Sequence, residues 1–152
     1  MPRWSGGTLT YDAGSIVDQH ISSSAAIDAD KMQHVHKIIS NFGLEYNATP
    51  AAKVFVVYVA TAAGTIRDVG AGLYDTGTST SITFDLKKNG TTVLSSVITV
   101  AHTDADKATV GGTLSVTTFA AGDVFTMHLA TSSTTGAQGP FMFSDFEENS
   151  AP

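Results

Sequence analysis

From Ser81 to Lys87 the chain alternates without a slip: Ile82, Phe84 and Leu86 fall on one side of an extended backbone, Thr83, Asp85 and Lys87 on the other. A period of two marks a strand with one face on a core. Asn89-Gly90 follows at once and supplies the two positive-φ positions that a type I′ turn needs, so Thr91 to Val100 is expected to return as the partner strand. A chain committed to such a hairpin has to build a sheet.

The rest of the sequence repeats the theme. Gly64 to Tyr74 alternates Ile66, Val69 and Leu73 among three glycines, which suggests a strand with a bulge or a tight corner. Thr109 to Phe119, Asp123 to Ala130 and Gln138 to Phe146 read as further strands, and a short one is expected around Phe42 to Asn47. Thr131 to Ala137 reads as an exposed, mobile Ser/Thr/Gly loop. About eight strands without crossover helices imply an all-β, antiparallel, jelly-roll-like sandwich or barrel. Phe84, Phe125 and Phe143 are expected on its inner faces.

One strand is unusual. Lys53 to Ala60 reads Lys-Val-Phe-Val-Val-Tyr-Val-Ala, apolar on both sides, and therefore needs a cover on each. Something beyond its own sheet partner has to sit on it, with Val54, Val56 and Tyr58 the residues to be covered.

The leading residues have a different texture. Met1 to Ser15 is rich in Gly, Ser and Thr, and Ala25, Ala26 and Ala29 with Asp28 as a cap allow at most a short helix. Residues 1–40 are thus read as an N-terminal arm and 41–152 as the β-sandwich domain. Trp4, Leu9, Tyr11, Ile16, Ile21 and Ile27 are the arm's apolar residues, the candidates for contact with a partner surface.

Only 14% of residues are charged and the net charge is −6, with the eight Lys and Arg scattered. Phosphate binding needs a concentrated basic face, so nucleic acid is not an expected partner. Absence of cysteine removes disulfides, thiol catalysis and Cys-based zinc sites. No apolar run approaches the ~20 residues of a membrane span or resembles a signal peptide, so no membrane partner is expected and synthesis is expected in a cytoplasm.

Candidate sites are few. His34 and His36 share a face of an extended segment, and three copies around an axis could hold a metal ion; the plainer reading is a pair of solvent or interface histidines. His20, His102 and His128 stand alone, His128 on the same strand face as Val124 and Thr126. The Asp-Ala-Asp triplets at Asp28 to Asp30 and Asp104 to Asp106 lack the Gly and distant Glu of an EF-hand. Asp145, Glu147 and Glu148 read as a solubilising tail. No nucleophile elbow, phosphate loop or zincin helix occurs, so neither catalytic residues nor a cofactor are expected.

Two segments carry a resemblance. Ile21-Ser-Ser-Ser-Ala-Ala-Ile-Asp-Ala-Asp-Lys-Met-Gln-His34 resembles the lead-in of virion structural proteins of tailed bacteriophages. Ile82-Thr-Phe-Asp-Leu-Lys-Lys-Asn-Gly-Thr-Thr-Val-Leu94, with Ala121-Gly-Asp-Val-Phe125 and Gln138-Gly139, looks like the β-core of such proteins. The resemblance implies a trimeric jelly roll on the outer capsid surface of a virion, a homotrimer whose interface would supply the cover for Val54, Val56 and Tyr58. It would be either a decoration protein that cements the major capsid protein through its arm or a head or tail fibre that recognises a host-surface glycan. For the fibre, the loop Thr131 to Ala137 is the candidate contact, although it lacks an aromatic residue to stack on a sugar.

Overall fold

The computed structural model describes residues 3–5, 8–10 and 34–149. Strands β1 (Arg3–Ser5) and β2 (Thr8–Thr10) form an antiparallel hairpin in which Trp4 stands opposite Leu9. The short helix expected near Ala25 to Lys31 lies outside the described residues. The remaining strands are β3 (His34–Ser40), β4 (Lys53–Val59), β5 (Gly64–Asp75), β6 (Ser79–Lys88), β7 (Thr91–Thr92), β8 (Ile98–Ala101), β9 (Thr109–Gly111), β10 (Thr118–Phe119), β11 (Val124–Thr135) and β12 (Gln138–Glu148).

They make two antiparallel sheets. One runs β10-β5-β12-β3 with β9 also on β5; the other runs β4-β11-β6-β7 with β8 also on β6. The first of these strands therefore pairs with the last, β3 with β12, and the second with the penultimate, β4 with β11. Inside that nest β5 takes β9 and β10, and β6 takes β7 and β8. A long folded hairpin wound between two sheets in this way is a jelly roll. The fold is the all-β sandwich that the alternation implies.

The core lies between the sheets. Ile82, Phe84 and Leu86 of β6 are fully buried with Phe125, Met127 and Leu129 of β11 across from Met142 and Phe146 of β12. At one end Tyr58, Phe119, Phe125 and Phe146 interlock: the Tyr58 and Phe146 rings stack at 4.5 Å, and Phe125 tilts against Phe146 at 4.7 Å.

Several expectations are corrected. β3 is a sheet strand bonded along its length to β12, so the sandwich takes in residues that the arm boundary at 40 assigned elsewhere. Phe42 to Asn47 is no strand but a series of turns, anchored by Phe42, which is fully buried at φ 57°. The hairpin return breaks after Thr92, because Val93 and Leu94 turn into the core and Leu94 bridges Leu114 instead. Thr109 to Phe119 likewise splits into β9 and β10 as it crosses between sheet positions.

Phe143 is not on the inner face. The residues of β12 that point inward are Met142, Ser144 and Phe146, while Phe141 and Phe143 point outward, each directly opposite a glycine of β5, Gly72 and Gly70. A Cβ on Gly70 would stand 2.6 Å from the Phe143 ring, and one on Gly72 2.5 Å from that of Phe141. Each ring thus fills the space of a missing side chain across the sheet.

Candidate functional site

The jelly-roll order leaves β3 at the end of one sheet and β4 at the end of the other, and the two strands touch each other. Both carry outward apolar side chains. Val35 and Ile39 on β3 are 59% and 66% exposed; Val54, Val56 and Val59 on β4 are 59%, 64% and 52% exposed. Isolated exposed aliphatics are ordinary, but five on two adjoining end strands, outward on each of the two sheets, leave this flank of the sandwich apolar. Among the described residues each of the two strands stands last in its sheet, the position at which a further chain can add to a sheet. Lys37 and Lys53 supply the charge on this flank.

β4 is covered on its inner side alone. The ladder with β11 slips between Phe125, opposite Tyr58, and Thr126, opposite Val56, leaving Val57 as an extra residue. A bulge of this kind reverses which residues face in. Val54 and Val56 therefore face out, whereas Tyr58 turns inward and is removed from the candidate interface. Strict alternation from Val54 placed all three together, and nothing in the local sequence marks the bulge.

The acidic C-terminal residues are a structural clasp rather than a solubilising tail. Glu147 and Glu148 are buried in β12. Glu148 Oε1 accepts from the Tyr58 hydroxyl at 2.6 Å and the Thr61 N–H at 2.7 Å, and its Oε2 accepts from the Thr61 hydroxyl at 2.7 Å. The Ala62 N–H donates to Oε1 at 3.2 Å. Burial pushes the carboxyl pKa up, but these four donors outweigh it and hold the group at about 2. For Tyr58, burial first and then the Glu148 hydrogen bond and charge push the phenol well above its usual value. Glu147 pairs with Arg67, and Asp145 with Lys37 at 3.3 Å.

The other sequence candidates are placed apart. Trp4 and Leu9 lie in β1 and β2; Tyr11, Ile16, Ile21 and Ile27 lie outside the described residues, as do His20 and Asp28 to Asp30. His34 and His36 are on β3, opposite Glu148 and Phe146, and the His36 ring sits 5.9 Å from that of Tyr58. No group of three or more metal-ligating side chains occurs among the described residues. Asp104 and Asp106 are occupied as loop ties: Asp104 accepts from the Ala101 N–H at 2.8 Å, and Asp106 from the Thr76 N–H at 2.8 Å and hydroxyl at 2.9 Å. The Thr76 bonds, backbone first, lower the Asp106 pKa.

His128 lies on the outer face of β11 beside Thr126 and in line with Val124, in contact with the Thr126 hydroxyl at 2.9 Å. Its pKa is lowered by burial first and then by Lys87. Thr131 to Ala137 is not a loop: β11 continues to Thr135, Ser132 and Ser133 donate to the Ser81 and Ser79 carbonyls, and a tight turn at Gly136 leads into β12. Its two serine hydroxyls are spent on the ladder.

No family model matches the chain, and no curated protein matches it. Among solved structures it is similar to one described as "EclA C-terminal domain; sugar-binding protein", at 11% identity over 72% of this chain and 74% of that one. The TM-score of 0.32 is too low for this likeness to bear on fold or function.

Proposed function

We propose that the chain is a capsid decoration protein of a tailed bacteriophage: a homotrimer on the outer virion surface that binds the major capsid protein through the segment before β3 and stabilises the head. The observation that carries this reading is the set of exposed aliphatic side chains on β3 and β4, the end strands of different sheets lying side by side at the root of that segment. Because the two edges differ, a contact between copies through this flank is heterologous, and heterologous contacts close into rings when the rotation fits. A weakly charged chain suits such burial, since charges are depleted at interface centres. No chemistry of its own is proposed.

The test uses capsids stripped of the protein. The full chain should co-sediment with them saturably and raise the temperature at which they rupture. A chain beginning at residue 33 keeps β3 and should remain trimeric without binding. Equal, saturable binding by the shortened chain would refute attachment through the leading segment.

A further inference from the structure

A cavity of about 240 Å³ opens where the turns after β3 meet the start of β12. Tyr46, Tyr74, Phe141 and Pro140 form its walls, and Glu45 and Lys107 also line it. Its frame is rigid. The Gly139 N–H donates to the Ala48 carbonyl at 2.9 Å, and a Cβ on Gly139, which has φ 57°, would lie 2.1 Å from the Tyr46 carbonyl oxygen. The turn bearing Tyr46 therefore rests directly on that glycine.

The lining groups are poised rather than consumed. Tyr46 meets Tyr74 edge-on, with centroids 5.2 Å apart at 72°, yet is 67% exposed. Lys107 Nζ stands 4.3 Å from the centre of the Tyr74 ring, and the Lys107 backbone N–H donates to the Leu73 carbonyl at 2.9 Å. Among the described residues neither Glu45 nor Lys107 joins an ion pair.

We infer that this cavity binds one neutral pyranose ring of a surface glycan. Its volume is below the roughly 300–1,000 Å³ of sites for drug-sized ligands, so it admits a single ring. A sugar's C–H face stacks on an exposed tyrosine, and its hydroxyls can donate to Glu45 and accept from Lys107. An anionic ligand would meet the Glu45 carboxylate, and a phosphate would find a single cation to hold it. The inference is independent of the assembly reading, since the cavity uses none of the apolar flank residues.

The test is saturation-transfer NMR on the full chain with the methyl glycosides of glucose, galactose, mannose and N-acetylglucosamine. At least one should receive saturation from tyrosine ring protons, with millimolar affinity, about −4 kcal/mol. Tyr46→Ala should weaken it at least about tenfold and Tyr46→Phe should largely retain it, both with unchanged circular dichroism. No transfer to any glycoside at tens of millimolar, or binding unaltered by Tyr46→Ala, overturns the inference. Capture of a proline-rich peptide by these tyrosines while all four glycosides fail overturns it too. A monomeric protein that binds a glycoside would sink the assembly reading alone.

Discussion

The Tyr58 hydroxyl donates to the Glu148 carboxylate at 2.6 Å, joining β4, an edge strand of one sheet, to the end of β12 in the other. The bond crosses from sheet to sheet at the wall of the aromatic cluster, where Tyr58 also stacks on Phe146. It fixes β4 so that Tyr58 points inward and Val54 and Val56 outward.

Stability should follow the ionisation of this pair. Glu148, held at about 2 against an unfolded value near 4.5, contributes fully above pH 4.5 and loses its contribution as pH falls towards 2. Tyr58, raised above 10, contributes fully below pH 10 and loses it as pH climbs further. Glu148→Gln should cost about 2 kcal/mol at pH 7 by urea unfolding, and the gap to the native protein should close as pH approaches 2. A gap that stays constant with pH would show that the carboxylate charge does not matter.

Inward and outward phenylalanines of β12 should differ sharply. Phe146 is fully buried, so Phe146→Ala should cost about 3–5 kcal/mol. Phe143 lies outside over Gly70 with Lys37 Nζ 4.8 Å from its ring centre, and Phe143→Ala should cost about 1 kcal/mol. Chemical denaturation of the two variants gives the comparison directly.

That contrast shows what the sequence could and could not reveal. Ile82, Phe84, Leu86 and the Asn89-Gly90 turn were legible because local alternation and local turn chemistry both act within one strand and its neighbour; Asn89 and Gly90 do take φ of 50° and 84°. The facing of Phe143 and Tyr58 was not legible. The first depends on glycines about seventy positions earlier in the chain, the second on a bulge, and both are properties of pairing rather than of the segment. Glu148 was missed for the same reason: its donors lie on β4 and the loop after it, about ninety residues away. The cavity was not legible either, since Tyr46, Tyr74 and Gly139 are far apart in the sequence and meet only through pairing.

Two glycines should fail for different reasons. At Gly90 (φ 84°) an added Cβ meets nothing within 4 Å, so Gly90→Ala costs only the backbone strain of a left-handed L-residue, about 1 kcal/mol. At Gly64 a Cβ would stand 2.2 Å from the Glu147 carbonyl oxygen and 2.5 Å from the Phe119 ring. Gly64→Ala has to displace β12 and should cost about 3 kcal/mol. Thermal melts of both variants check the order.

The apolar flank is the point on which the account turns. Val54 and Val56 are outward-facing and touch no core, so Val54→Lys with Val56→Lys should leave the protomer's stability within about 0.5 kcal/mol while removing its capacity to associate. Sedimentation velocity measures both proteins under one condition. The native chain should sediment as a species of three times the 15.8 kDa protomer mass and the double variant at the protomer mass. A native chain that sediments as a protomer at micromolar concentration, or a double variant that still sediments as a trimer, would contradict assembly through this flank.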